Sequence, residues 1–166
     1  MILLATNIDR LELRELRETD AHVYYAVVNR NRQHLSKYGD YLDERDATLA
    51  SVIAYFADPT DRNIRLGIWH DGALIGRVDL TPVAPARYAI GYWLDHAHCG
   101  HGYGTSACAA AIGHAHRVLG ATDIFAGVTH CNERSISLLH RLGFHRIADF
   151  DTYSRFHLAL EQAPRR

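Results

Sequence analysis

The chain has 166 residues, 48% hydrophobic and 22% charged, with a formal net charge of −1 when its histidines are neutral. That length supports one domain with a real core, and the composition is globular rather than disordered. The near-zero charge argues against a general nucleic-acid binder or a membrane-surface protein.

In chain order, Leu11–Leu16 alternates as a first strand. Thr19-Asp20 then starts a helix over Ala21–Arg32, with Val23, Ala26, Val27 and Arg30 on successive turns. The segment His34–Tyr41 reads as irregular. Leu49, Val52, Ile53 and Phe56 have the spacing of a second helix from about Arg45 to Phe56, ended by Asp58-Pro59. Strands Ile64–His70 and Ala73–Leu80 are joined by Asp71-Gly72, a hairpin signal. Thr81–Arg87, with Pro82 and Pro85, reads as a loop.

Tyr88 to Thr105 is the stretch around which the chain is organised. Tyr88–Leu94 has strand character, Asp95–Cys99 is a polar turn, and Gly100-His101-Gly102-Tyr103-Gly104 leads into an Ala-rich helix from Thr105, stopped by Gly120. Strand, glycine loop and helix start together aim unpaired N–H groups and a helix dipole at an anion. A nucleoside-triphosphate loop does not fit, because no Gly-Lys-Ser/Thr follows. The glycine spacing and the lack of a leading βαβ unit also disfavour a dinucleotide fold.

Thr122–Thr129 is a further strand, and Glu133–Leu142 a short helix stopped by Gly143. Phe144–Ala148 and Thr152–Ala159 form a final antiparallel pair, with 160–166 as a flexible tail. One mixed α/β domain over 1–166 follows. Cys99, Cys108 and Cys131 are odd in number and lack metal spacing, and Met1–Ala5 is too short for a signal core or a membrane span. Reduced thiols, a cytoplasmic location and no membrane association are therefore expected.

Four segments together resemble the GNAT acyltransferase superfamily and its RimJ/RimL-like branch of ribosomal-protein N-terminal acetyltransferases. They are LELREL with the following NRNRQHL at Asn29–Leu35, IGYWLD at Ile90–Asp95, GHGYGT at Gly100–Thr105, and NERSISLLHRLGF at Asn132–Phe144. The resemblance implies a mixed sheet of six to seven strands with about four helices. The sheet would be splayed between Ala89–Leu94 and Asp123–Val128, with acetyl-CoA in the gap and no metal. It further implies that the backbone near Trp93 and Leu94 holds the thioester and pantetheine. Cys99 and the loop residues Gly100, His101, Gly102, Tyr103, Gly104 and Thr105 would take the pyrophosphate, and Asn132 the pantetheine arm. A backbone N–H near Leu94 would stabilise the developing oxyanion, an effect of about 3 kcal/mol per donor. Ser135 would protonate the departing sulfur, a helix N-terminal cap being its other use.

The sequence also departs from the family pattern. Cys99 stands where relatives carry Gln or Arg, Leu139 where many have a Tyr general acid, and Ala89 where a Glu base is common. Asp79, or a water chain, is left to accept the amine proton, a surface strand position being the other reading of Asp79. An α-amine, with a pKa of about 7.7–8.0, needs less help than a lysine at about 10.4. The missing Glu thus favours α-amine-like acceptors.

Tyr38, Tyr41, Tyr92 and Trp93 are candidates for lining an acceptor pocket, against ordinary core or rim packing. Arg30 and Arg32 are candidates for facing an acidic acceptor, against plain solvation. His96, His98, Cys99 and His101 invite a zinc reading, but no second close cluster completes four ligands. The expected activity is acetyl-CoA-dependent N-acetyl transfer to a primary amine by direct attack in a ternary complex. The acceptor is a ribosomal-type protein N-terminus or a small aminated molecule. Alternatives are a self-protection enzyme acetylating an antibiotic, and a catalytically silent CoA-binding module. Analogy with the family admits a homodimer.

Overall fold

The apolar stretches of the sequence fold into eight strands: β1 (Leu3–Ala5), β2 (Leu11–Glu15), β3 (Ile64–His70), β4 (Ala73–Ala84), β5 (Arg87–Leu94), β6 (Asp123–Thr129), β7 (His145–Asp149) and β8 (Tyr153–Ala159). The helices are α1 (Ala21–Arg30), α2 (Arg32–Leu35), α3 (Leu42–Asp46), α4 (Leu49–Ala57), α5 (Tyr103–Arg117) and α6 (Glu133–Arg141). The structure is a computed structural model and describes residues 1–161. The strands form one sheet in the order β1-β2-β3-β4-β5-β6-β8-β7. Neighbours are antiparallel except β5 and β6, which run parallel.

The pleat sorts side chains to two faces. Leu13, Leu66, Ile68, Val78, Leu80 and Ile90 pack with Ala107, Ala111 and Ala115 of α5. The other face buries Leu16, Trp69, Leu74 and Trp93 with Tyr24, Val27 and Val28 of α1 and Val52 of α4. Small residues on α5 let that helix lie close to the sheet, and this fixes where its N-terminus emerges.

The mixed sheet and its sequence of elements match expectation, with differences in detail. The sheet has one more strand than the six to seven expected, because Leu3–Ala5 pairs with Glu12–Arg14. Three residues are too few to show periodicity. Two further short helices, α2 and α3, occupy stretches without a repeating pattern. The expected helix 45–56 is broken at Thr48, whose extended backbone and hydroxyl start α4 by accepting from the Ser51 N–H at 3.1 Å. In α1 the buried stripe is Ala21, Tyr24, Val27 and Val28, whereas Val23 is exposed. Tyr24 turns the helix by packing edge-on against Phe56 and Trp93 at 5.0 and 5.8 Å.

Thr81–Arg87, expected as a loop, is the tip of a hairpin. Pro82 lies at a register shift in the β4–β5 pairing, where a missing N–H is tolerated. Of the expected tail, Leu160 donates its N–H to the Thr122 carbonyl at 2.8 Å, and residues 162–166 lie outside the described residues. No described helix is long and apolar enough to cross a membrane.

Gly76 of β4 faces Leu94 of β5, where a methyl would collide with the Trp93 carbonyl and lie 3.1 Å from Leu94 Cα. Gly76→Ala is expected to destabilise by about 1–3 kcal/mol. In a thermal melt this reads as a drop of about 2–4 °C per kcal/mol.

Candidate active site

β5 and β6 pair only at Arg87–Asp123, Tyr88–Ile124 and Ala89–Phe125, and then part. Beyond Ala89, β5 keeps β4 on one side but has no strand on the other, so the polar groups on that open side need other partners. The Asp95 N–H donates to Ile75 of β4 at 2.7 Å. Backbone direction alternates along a strand. Trp93 and Gly91 therefore also point their N–H and C=O groups at β4, and Tyr92 and Leu94 point theirs into the wedge. The Tyr41 hydroxyl donates to the Tyr92 carbonyl. The Leu94 N–H faces the same space.

A small cavity of ≈ 40 Å³ sits in the wedge, lined by Asp40, Gly91, Tyr92, Gly127 and Ser135 among others. A groove of ≈ 840 Å³ shares Asp40, Tyr41, Tyr92, Asn132 and Ser135 with it and runs on to the glycine loop. That volume suits a cofactor-sized ligand.

The wall opposite β5 is α6. Its cap is Asn132, whose Oδ1 accepts the Ser135 N–H at 3.3 Å. Ser135 is thus not the cap, and its hydroxyl instead hydrogen-bonds the Tyr92 hydroxyl at 2.9 Å. Burial pushes the Tyr92 phenol up to about 12, so it keeps its proton at neutral pH and can donate to Ser135. Burial, with Asp40 beside it, also raises Tyr41.

At the far end, α5 begins at Tyr103, earlier than the expected Thr105, and its N-terminus has no side-chain cap. Gly102 precedes it in the left-handed region at φ 79°, and a Cβ there would meet open space. Gly100, Gly102, Gly104 and Thr105 line the groove, as do the cations Lys37, Arg134 and Arg141. Arg141 donates to the Thr105 hydroxyl at 3.4 Å. Unpaired amides, a helix N-terminus and three cations fit a phosphate-bearing ligand at this end.

The remaining expected residues fall as follows. Cys99 lines the groove, its Sγ 3.9 Å from Nε2 of His34, whose ring burial and the neighbouring His96 keep less basic. His101 is exposed and stacks on Tyr103, which does line the groove. Trp93 borders the groove, but its indole is buried on the α1 face and its main-chain polar groups face β4, so of the expected pair Leu94 is the one that offers main chain to the wedge. Tyr38 lies on the groove wall.

Asp79 stands apart from Ser135. It pairs with Arg77 at 2.7 Å on the α1 face, neither in the groove nor on the surface. Burial raises its carboxyl despite Arg77. Arg30 and Arg32 are spent internally, the first on Asp95 at 2.6 Å and the second on the carbonyls of Glu44, Arg45 and Ala47. Burial works against the Asp95 charge, but Arg30 and Asn31 hold its carboxyl below the usual range.

The sequence reading missed Asp40, Lys37, Arg134 and Arg141. The last two stand seven residues apart on α6 and share a face, a signal that was legible. Among the described residues no three His, Cys, Asp or Glu side chains converge to hold a metal ion.

Comparison with known proteins identifies the domain. The sequence model described as "Acetyltransferase (GNAT) domain" matches residues 10–145. The chain is 30% identical over 127 residues to the probable N-acetyltransferase YjcK of Bacillus subtilis (strain 168), a match covering 74% of this chain. It spans 61% of that protein's length. Among solved structures, the ribosomal L7/L12 alpha-N-protein acetyltransferase RimL in complex with coenzyme A superposes with a TM-score of 0.84 at 16% identity, covering 95% of this chain and 98% of that one. The microcin C7 self-immunity acetyltransferase MccE, in complex with acetyl-CoA and AMP, gives 0.77 at 16% identity, covering 92% and 94%.

Because the Asn132 side chain starts the helix that carries Ser135, Asn132→Ala is expected to cost about 1 kcal/mol. A thermal melt lowered by about 2–4 °C checks it.

Proposed function

The chain belongs to the GNAT acetyltransferase family, and from that membership we propose that it transfers the acetyl group of acetyl-CoA to a primary amine by direct attack in a ternary complex. The observation that carries this reading is the wedge between β5 and β6, where unpaired main chain and the Tyr92–Ser135 hydroxyl pair share one space. The Leu94 N–H is the donor for the developing oxyanion, and wedge-facing main chain at Tyr92 and Leu94 receives the pantetheine arm as an added strand. Lys37, Arg134, Arg141 and the amides from Gly100 to Thr105 hold the phosphates. The Asn132 amide nitrogen is free of capping duty, and on this reading it donates to the arm from the groove wall.

Ser135 passes its proton to the departing sulfur and regains one from Tyr92. With Leu139 buried where relatives have a Tyr, Tyr92 supplies the phenol from β5 instead. The acceptor is an α-amine-like group, such as a protein N-terminus of ribosomal type or a small aminated molecule. That preference rests on the Ala89 position, since an α-amine is partly neutral at pH 7 unaided.

Isothermal calorimetry with acetyl-CoA, followed by thiol release with a Ser-Ala-Ala peptide amide and a panel of small amines, tests the reading. Binding with thiol release supports it. Heat without release from any amine fits a regulatory CoA-binding module, and no heat at all would sink the assignment. Ser135→Ala is expected to lower kcat by about 10²–10⁴-fold, the usual worth of a proton-transfer group, with little change in acetyl-CoA affinity. Gly102→Ala is expected to raise the Kd for coenzyme A by roughly tenfold. The left-handed backbone costs a residue with a Cβ about 1–2 kcal/mol, which binding must then restore.

A further inference from the structure

One carboxylate in the wedge is left without a use by the reading above. Asp40 lies between Gly39 and the left-handed Tyr41, at the end of the segment that follows α2. Its Oδ2 accepts a hydrogen bond from the Thr129 hydroxyl of β6 at 3.0 Å. Its Oδ1 is buried and has no hydrogen-bond partner. A buried carboxylate oxygen left bare is costly. Asp79 Oδ1 is bare too, but that carboxylate is paired with Arg77 and lies outside the groove, whereas Asp40 lines it.

Asp40 lines both the small wedge cavity and the groove, and among the residues lining these two spaces it is the only carboxylate. The small cavity, at ≈ 40 Å³, exceeds the roughly 10–15 Å³ a water requires and has room for an amino group. Its wall also carries the hydroxyls of Tyr92 and Ser135. The loop is pinned there twice, by Asp40 to Thr129 and by Tyr41 to the Tyr92 carbonyl.

We propose that Asp40 is the residue that receives the acceptor's amino group and takes its proton. The inference rests on the acetyl-transfer reading and names the base that reading lacks. Oδ1 accepts an N–H from the neutral amine and orients its lone pair toward the thioester carbon. As the nitrogen–carbon bond forms, the nitrogen becomes acidic and its proton passes to Asp40. As the carbon–sulfur bond breaks, Ser135 supplies the proton that sulfur needs. Asp40 gives its proton to solvent, Ser135 regains one from Tyr92, and Tyr92 is reprotonated from solvent, so amine and acetyl thioester become amide and thiol with every proton accounted for. The site therefore takes a primary amine reaching the wedge from the side of the α2–α3 segment, and it disfavours acceptors with a carboxylate next to the amine.

The test uses the full chain, acetyl-CoA and the Ser-Ala-Ala peptide amide. Asp40→Asn keeps the shape and the acceptor for Thr129 but removes the charge. It is expected to lower kcat/KM for the peptide by about 100-fold or more, with the Kd for acetyl-CoA within about twofold by calorimetry. Asp40→Ala is expected to lose as much and to regain activity several-fold with added formate but not chloride, a readout that a purely structural residue would not move. Turnover by Asp40→Asn close to the unaltered protein would overturn the inference while leaving acetyl transfer intact. So would a Thr129→Val variant that reproduces the Asp40→Asn loss, since the tether alone would then explain it. Absence of thiol release by the unaltered protein would overturn both.

Discussion

The whole arrangement depends on one parting of strands. β5 and β6 hold together for three residue pairs and then separate, which leaves main-chain donors and acceptors without a ladder inside the protein. Buried backbone polar groups are almost always paired, so a sheet that opens in its middle must be propped. Here α6 stands on one side of the opening and the segment between α2 and α3 on the other. Each reaches in with a hydroxyl, from Ser135 to Tyr92 and from Tyr41 to the Tyr92 carbonyl. The gap is a built feature, kept open by side chains that also mark out its chemistry.

The prop from α3 is itself anchored on the far face of the sheet. Arg77 of β4 meets Glu44 of α3 and Asp79, each at 2.7 Å, and donates to the Tyr24 hydroxyl of α1. Burial opposes the Arg77 charge, but Asp79, Tyr24 and Glu44 keep it protonated. Buried ion pairs add little net stability, yet breaking one by removing a single partner is expensive. A cluster of that kind suits positioning better than strength, because it fixes the rotation of α3 and α1 against β4. Asp79 belongs to this anchor, which is why it does not meet Ser135.

Much of this was legible in the residues. Strand alternation, the Asp71-Gly72 turn and the glycine loop before an Ala-rich helix each express a local rule, and they survive folding nearly unchanged. The groove wall from Tyr92 to Thr105 and the Asn132–Ser135 start of α6 follow from the same rules and from family likeness. What was hidden depends on distance in the chain. Asp40 and Thr129 are 89 residues apart, and nothing in the irregular segment His34–Tyr41 hints at that meeting. Arg30 does stand half-exposed, but its pairing with buried Asp95 was hidden because the two lie 65 residues apart. Tyr92 was a candidate for lining an acceptor pocket, but only the approach of α6 shows what its hydroxyl engages. The helix around Thr48 was misread for a smaller reason: the capping partner is Ser51 rather than the Glu or Gln that usually marks such a start.

The orientation of the β5 main chain has a further consequence. An amide N–H or a carbonyl is the same group whichever side chain follows it, so a wedge that greets its guest with bare backbone places few demands on the letters spelled there. A fold whose opening is framed by main chain can persist through wide change in side chains, and this chain shares its fold with a protein only 16% identical to it, at a TM-score of 0.84.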